Sequence, residues 1–548
     1  MKKRIIFSKI GLTLLIALMA VYISMGNSMA QAKEPVILKA WNHHDPGCIE
    51  TMRFIGQDLK KLGIEMKAKL GTYAEWGAEV IRGKPNPYHL VLIAWSQPPD
   101  RIDPAFFLTE FFHSSRAKPG GRNYGYYINK EYDKIVDAQM VEMDRRKRQE
   151  LVRKAQEILH RDNAIFAILA KPFIQVYNAE RVEGVIPVVG SCIAMPYSPW
   201  TFIKAKPKTD LREPRVVRTQ ELDVFNPFVT ASAQTSWWIR LTYDTFLKRD
   251  PDNKIVGWAA ESWRVVDNTT VDIVLREGMT FHDGKPVTVE DAKFTFDYIK
   301  KWKFPLYARV WKNVDSVMIM DARRVRFKLS RLYAPFVNNV LLDQFILPKH
   351  IWEKIPGSVG IANPMDWSNP MPIIGSGPYQ FVEWKKGEYT HLKAHKKHWM
   401  APNFDGMWVI VAPTIGGMLA MLEQEKAEIM GWYVDPKSGE QLAALPHLKM
   451  VTADGAGRYE LRPNLKMKPM SDPMFRQAFQ HAINRKGIND VIYGGRGTEC
   501  PNTPIPVYNK YWNNPDIPVM EFNLGKAREI LKAAGYTWDK KGRLCYPE

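Results

Sequence analysis

An α/β fold is what residues 34–170 predict. Three observations point to it: apolar strand-like runs alternate with amphipathic helical runs, Gly and Asp-Pro signals punctuate them, and the composition is ordinary globular, 45% hydrophobic and 25% charged. The apolar run EPVILKAW (34–41) reads as a buried strand. Asp45-Pro46 opens a helix, CIETMRFIGQDLKKLG, with Ile49, Met52, Ile55 and Leu59 on one face and Gly63 as its stop. A second strand (IEMKAKLG), a second helix (YAEWGAEVIRG) and a third, buried strand (YHLVLIAW) follow, and the pattern favours largely parallel strands. Asp103-Pro104 reads as another helix start. The periodic stretch from Glu131 to Asp162 predicts a long helix broken near Asp144.

Further along, Thr201 to Arg215 is polar, charge-mixed and proline-containing, the composition of a linker. Asp267 to Leu275 reads as a turn and an edge strand, Gly375-Ser376-Gly377 as a tight bend, and Asp472-Pro473 as the start of a capped helix. With 548 residues the chain is long enough for two or three domains. Its 18 Trp, 22 Tyr and 24 Phe either line a small-molecule cleft or fill the core.

The N-terminus carries a targeting pattern. Lys2, Lys3, Arg4 and Lys9 precede an apolar run, Ile10 to Met25, and Ala30-Gln31-Ala32 supplies small residues for cleavage. This reads as a secretory signal peptide cut near Ala32, which implies export to the periplasm. Lys33 follows the cut, so a lipoprotein anchor is not expected. The formal charge is +19, or +15 without the four basic signal residues. Lys and Arg are spread along the chain with no nucleic-acid motif, which excludes nucleic acid as the expected partner. Cys48, Cys192, Cys500 and Cys545 have no CxxC spacing, and an oxidising compartment permits three pairings among them.

Three stretches carry a family resemblance. AAESWRVVDNTTVDIVLREGMTFHDGKPVTVEDAKFTFDYI (259–299) resembles the signature region of the extracellular solute-binding proteins, family 5, of peptide-type ABC importers. PMPIIGSGPYQFVEWKKGEYTHLKAHKKHW (370–399) is similar to the family's GTGPY segment, and MKPMSDPMFRQAFQHAINRKGINDVIYGGRGTECPNTPIP (467–506) to one of its helices. The resemblance implies a type II, cluster C-like periplasmic-binding-protein fold: two α/β lobes around a cleft, with an extra subdomain inserted in lobe 1. The implied division runs 33–172 (second part of lobe 2), 173–255 (lobe 1, with linker 201–215), 256–372 (inserted subdomain), 373–460 (lobe 1) and 461–548 (first part of lobe 2). Hinge strands are expected near Gly375–Tyr379, Leu461–Lys466 and Ala170–Tyr177.

The segment order departs from the family. Residues 88–112 and the following long helix resemble the family's C-terminal region, yet here they come first. The family's usual start resembles a stretch that begins only at Glu221, and the family's sequel to the final GYTWDKKGRLCYPE resembles residues 33–70. The chain is therefore read as a circular permutant, with two tandem or misannotated genes as the rival account. Permutation predicts that Glu548 and Lys33 lie close together in one lobe, with Cys545 and Cys48 in one neighbourhood.

The resemblance also implies a role: capture of di- or oligopeptides in the interlobe cleft and delivery to a membrane permease, as a monomer, without catalysis or cofactor. In peptide-binding members an Asp after the third strand's Trp pairs the ligand's ammonium. Here Asp100 stands five residues after Trp95 and Pro98 occupies the expected acidic place, so Asp100 is the ammonium candidate and equally a loop carboxylate. Trp95, Trp237, Trp238, Trp432 and Tyr433 are candidates to line the pocket or to be core, and Asn502 is a weaker candidate. His43, His44, Asp45 and Cys48 are plausible metal donors, although Asp45 also suits a helix N-cap. The alternatives carried are a nickel complex, haem or oligosaccharide on the same fold, a receptor or chaperone-like protein that has lost transport, and a hydrolase. No GxSxG, HExxH or paired-carboxylate pattern supports the last.

Overall fold

The computed structural model describes residues 33–547 apart from 44, 83–84, 96–102, 196–197, 231–232 and 359. The expected signal peptide, Asp100 and Glu548 lie outside the described residues. Among the described residues, no helix is long and apolar enough to cross a membrane.

The chain opens with β1 (Ile37–His43), α1 (Pro46–Lys61), β2 (Glu65–Gly71) and β3 (Leu90–Trp95). Next come α2 (Pro104–Phe112), α3 (Lys130–Val141), α4 (Arg145–Arg161) and the long strand β4 (Phe166–Asn178). After a short strand β5 (Arg215–Arg218), β6 (Ala260–Asp267), β7 (Thr270–Leu275), helix α5 (Val289–Trp302), β8 (Val314–Ile319) and β9 (Arg324–Leu329) form a four-stranded unit. Then follow β10 (Tyr379–Lys385), β11 (Tyr389–Ala394), β12 (Gly406–Val411), α6 (Ile415–Glu423), β13 (Ile429–Met430), α7 (Pro436–Ala443) and the 16-residue β14 (Leu448–Pro463). Helices α8 (Pro473–His481), α9 (Arg485–Tyr493) and α10 (Leu524–Ala533) and the strand β15 (Leu544–Cys545) close the chain.

Several helix starts are written locally. Asp45, Asp103, Asp144 and Asp472 each accept backbone N–H bonds in the first turn of α1, α2, α4 and α8, and in all but α4 a proline sits at the start. The expected break of the long helix at Asp144 is the gap between α3 and α4.

One mixed sheet runs through the molecule in the order β10-β11-β12-β5-β13-β4-β14-β3-β1-β2. β1 pairs in parallel with β2 and β3, as the alternation predicts. β4 and β14 are antiparallel along their length and belong to both ends of this sheet. Their outer halves pair from Leu448–Asn178 to Asp454–Pro172, and a register shift separates these from the inner halves, which resume at Arg458–Ala170. On one side of that shift β4 meets β13; on the other β14 meets β3. Two hydrophobic bodies result. The larger lobe packs β5 and β10–β13 with the four-stranded unit, and the smaller packs β1–β3 with α1–α4 and α8–α10.

The crossing in β14 is at Asp454–Arg458, several residues before the expected Leu461–Lys466. Gly375–Tyr379 is not a crossing but packs on Leu241 and Thr242 inside the larger lobe. The close approach at the crossing needs glycine: a Cβ on Gly455 would collide with the Lys171 carbonyl and one on Gly457 with the Trp95 carbonyl. Two further expectations change. Strand β7 is internal to its sheet, between β6 and β9, rather than at the edge. The expected linker is mostly exposed over 206–213, whereas Thr201, Phe202 and Ile203 before it form a helical turn buried in the larger lobe.

Segments near the two ends pair, although the expected Lys33–Glu548 approach itself involves Glu548, outside the described residues. Pro35 forms a bridge with Cys545, Val36 N–H donates to Leu544 O at 2.7 Å, and Tyr546 N–H donates to Glu34 O at 3.1 Å. Cys48 and Leu544 share one apolar cluster, and all four cysteines are buried free thiols.

A candidate solute site at the lobe crossing

Lys171 is the residue at which β4 passes from one lobe to the other, and an apolar strand is an uncommon place for an ammonium. Its Nζ donates to the Tyr433 hydroxyl at 3.0 Å and lies 3.8 Å from Asp45 Oδ2. It also sits 4.7 Å from the centre of the Tyr433 ring and 5.7 Å from that of Tyr459, within cation–π range. Asp45 belongs to the smaller lobe, at the N-terminus of α1, while Tyr433 follows β13 in the larger. The three groups span the hinge.

Asp45 Oδ1 accepts from the N–H of Gly47 at 3.0 Å and of Cys48 at 3.3 Å, and from the Tyr459 hydroxyl at 3.0 Å. Tyr459 has only one proton to give, so the Tyr493 hydroxyl that touches it must be its donor. The chain of donation therefore runs Tyr493 to Tyr459 to Asp45. Burial by itself would raise the Asp45 carboxyl, but the Lys171 ammonium, the Tyr459 hydroxyl and the Cys48 N–H together hold it below its ordinary value. Burial likewise opposes the charge on Lys171, yet the oxygens of Tyr433 and Asp45 outweigh it and keep the ammonium protonated. Burial pushes the Cys48 thiol well up, with the Asp45 charge adding to it, so Cys48 is no thiolate.

Aromatic rings frame this cluster. Tyr433 stacks on Phe173 with centroids 4.8 Å apart and planes at 13°, and Trp432 stacks on Tyr433 at 4.8 Å. Trp95 ends β3 in an aromatic nest with Trp76, Phe107 and Phe111, at 5.8, 6.1 and 4.8 Å, and is 2% exposed. Trp238 has no exposed surface and packs against Phe202 and Arg218. Asn502 is equally enclosed, accepting from Arg485 and donating to Gln480, each at 2.8 Å. Of the residues singled out from sequence, the structure thus gathers Trp432, Tyr433 and Asp45 at the crossing. It takes up Trp238 and Asn502 inside the lobes. Trp237 lies on the short helix Ala233–Trp238, and His44 and Asp100 fall outside the described residues. Among the described residues, no group of three or more His, Cys, Asp or Glu side chains converges as a metal site.

Lys171 was not singled out from sequence, although a lone lysine in an otherwise apolar strand was the available signal. A second buried cluster was missed as well. On β14, Glu460 accepts from Arg458 Nη2 at 2.6 Å and from Arg462 Nη2 at 2.5 Å, and all three side chains are at most 2% exposed. The Arg458 guanidinium rests over Phe107 at 4.5 Å and that of Arg462 over Phe112 at 4.0 Å. This triad is sealed inside the smaller lobe beneath α2.

Two α/β lobes joined by a pair of crossing strands, with a polar cluster between them, define the architecture of a two-lobed solute-binding protein. Comparison with known proteins agrees. The family of bacterial extracellular solute-binding proteins, family 5 (middle region), matches residues 254–545, and the chain belongs to that family. It is similar to the oligopeptide-binding protein AppA of Bacillus subtilis, 28% identical over 324 residues, 58% of either chain. The dipeptide-binding protein of Escherichia coli is 25% identical over 303 residues, 52% of this chain and 55% of the relative. The matches thus span little more than half the length of these relatives. Among solved structures, AppA with a bound nonapeptide superposes with a TM-score of 0.45 at 27% identity, covering 60% of this chain and 65% of that one.

Proposed function

We propose that this chain is the exported solute-binding component of an ABC importer, which captures di- or oligopeptides between its lobes and hands them to a membrane permease. The observation that carries the reading is the Asp45–Lys171–Tyr433 cluster, built from both lobes at their crossing in a member of a solute-binding family. A peptide offers an ammonium, a carboxylate and amide groups, and this cluster offers a carboxylate, an ammonium and phenol hydroxyls. Trp432 and Tyr433 would stack on its side chains, and Asp100 would pair its amino terminus. The protein would act as a periplasmic monomer, and no catalytic step is needed, because a difference in affinity between open and closed lobes suffices. Relatives named for oligopeptide and dipeptide binding support the same reading.

Thermal unfolding with defined peptides tests it. Saturating di- to pentapeptides should raise Tm by ligand linkage. Silence with peptides, together with a rise on adding a nickel–histidine complex or an oligosaccharide, would reject the peptide assignment and keep the fold.

We also propose that the segment order is a circular permutation of the family's. Bonding between residues 34–36 and 544–546 supports this. A rearranged chain that joins Pro547 to Lys33 by a short Gly/Ser linker and opens between Thr209 and Asp210 should fold with a similar Tm. Failure of that chain to fold would count against the permutation.

A further inference from the structure

Away from the crossing strands, the two lobes meet at the rims of the cleft through polar contacts and through Met140 and Tyr508, which pack with the larger lobe's apolar cluster. On one rim the meeting point is Asp103, which is fully buried. Within its own lobe it is already satisfied. Oδ1 accepts from Ala105 N–H at 2.9 Å as the N-cap of α2, and the Arg148 fork binds both oxygens, at 2.7 and 2.8 Å. A further donor arrives from the opposite lobe: Asn338 Nδ2 reaches Asp103 Oδ2 at 2.8 Å. Asn338 lies on a single wide helical turn, Val337–Leu341, of the kind frequent at functional positions. Beside it, Ala334 N–H donates to Met140 O at the end of α3, at 2.9 Å, a backbone bond between the lobes. The Arg249 guanidinium and the Tyr333 phenol of the larger lobe also lie within electrostatic reach of Asp103. On the opposite rim, Arg496 pairs with Glu440 of α7 in an exposed contact, which contributes little in water.

We propose that Asn338, with the adjoining Ala334–Met140 bond, is a latch that sets how much of the solute-free protein is closed. The arrangement suits a two-state element. When the lobes part, Asp103 keeps Arg148 and its cap, so the open form strands no carboxylate. Closure regains one amide-to-carboxylate bond and one backbone bond, besides the apolar packing of Met140 on the larger lobe. A single hydrogen bond of ordinary strength shifts an open–closed equilibrium by about three- to tenfold, so loss of the Asn338 bond alone should do at least that. Apparent affinity for any solute then follows the closed fraction, although Asn338 need not touch the solute.

The latch concerns the lobes alone, so its test needs no solute and stands apart from the peptide assignment. Small-angle scattering of the solute-free chain should show a larger radius of gyration for Asn338→Ala. Asn338→Asp, which sets a second carboxylate against Asp103, should open it further. Hydrogen exchange at the Ala334 amide should quicken about three- to tenfold in both variants. Arg496→Ala should change either readout less. Unchanged scattering and unchanged exchange in Asn338→Asp would overturn the proposal. So would a lower Tm with unchanged scattering, because that would make Asn338 merely structural.

Discussion

Two buried charge clusters flank the point where β4 and β14 cross between lobes, and they are built differently. The Arg458–Glu460–Arg462 triad lies within one lobe, under a roof of Phe107 and Phe112, with its carboxylate fully engaged. The Asp45–Lys171–Tyr433 cluster draws one member from each lobe and one from the strand between them, and its ammonium is 3.8 Å from the nearest carboxylate oxygen. In the triad both carboxylate oxygens are taken, while Arg458 Nη1 and Arg462 Nε stay buried without a hydrogen-bond partner among the described residues. A looser cluster that spans a hinge can exchange partners when a solute arrives. The first cluster therefore belongs to stability, and under the proposed function the second belongs to recognition.

The largest expected effect breaks the first cluster. Glu460→Gln leaves two arginines buried without a carboxylate, and removing one partner of a buried pair typically costs about 3–5 kcal/mol. Denaturant unfolding should show that loss in the midpoint, whereas solute binding by the folded fraction stays near normal. A loss of unfolding free energy below about 1 kcal/mol would mean the triad is wetter than its burial indicates.

A third buried group sharpens the contrast through pH. His282 is held by burial, and secondarily by neighbouring His395, at about 4 rather than its usual value, and burial lowers His395 as well. His282 Nδ1 accepts from the Gly375 N–H at 3.0 Å, its Nε2 faces the Gly377 carbonyl at 3.0 Å, and the Asp244 carboxylate, in contact with His398, lies within electrostatic reach. A folded-state value below the unfolded one means that the unfolded chain binds more protons between them. Stability is then complete above about pH 7 and drains away as pH falls toward 4, by at most about 3 kcal/mol from His282 and less for the exposed part of its ring. His282→Gln should flatten that slope in unfolding curves taken from pH 7 to 4.5, and an unaltered slope would remove His282 as the cause.

Lys171→Met addresses the second cluster. Met nearly matches the aliphatic stem, so the stability loss should be only about 1–2 kcal/mol, mostly from the unpaired Asp45. The peptide-dependent rise in Tm should largely vanish. Equal losses of stability in Lys171→Met and Glu460→Gln would erase the distinction drawn between the clusters.

What the sequence revealed and concealed follows the range of the interactions. Caps are local, so Asp45, Asp103, Asp144 and Asp472 were legible as helix starts, and so was the α3–α4 break. Charges at every second position, as in RYELR (458–462), ordinarily mark the solvent face of a strand. Here α2 lays two phenylalanines over that face, a contact some 350 residues distant in sequence. Trp238 and Asn502 were singled out by chemistry, but whether such a side chain faces a cleft or a core is decided by packing, which no short window contains. Lys171 lies in the expected hinge segment Ala170–Tyr177, but expecting a hinge there does not say which of its side chains meets groups of both lobes.

The smallest change tests the finest part of the comparison. Tyr433→Phe keeps the stack on Phe173 and the ring beside the ammonium, and removes only the hydroxyl that Lys171 donates to. Stability should hardly move. If a solute carboxylate binds the ammonium in place of that hydroxyl, the variant frees Lys171 from a competitor and loses little affinity. If the hydroxyl instead orients the ammonium toward the solute, affinity for a probe tripeptide falls by about 0.5–1.5 kcal/mol. Calorimetric titration separates the two. Because the cluster spans the hinge and the triad does not, a fall in affinity without a fall in Tm is the expected result, and the reverse would assign Tyr433 to the core.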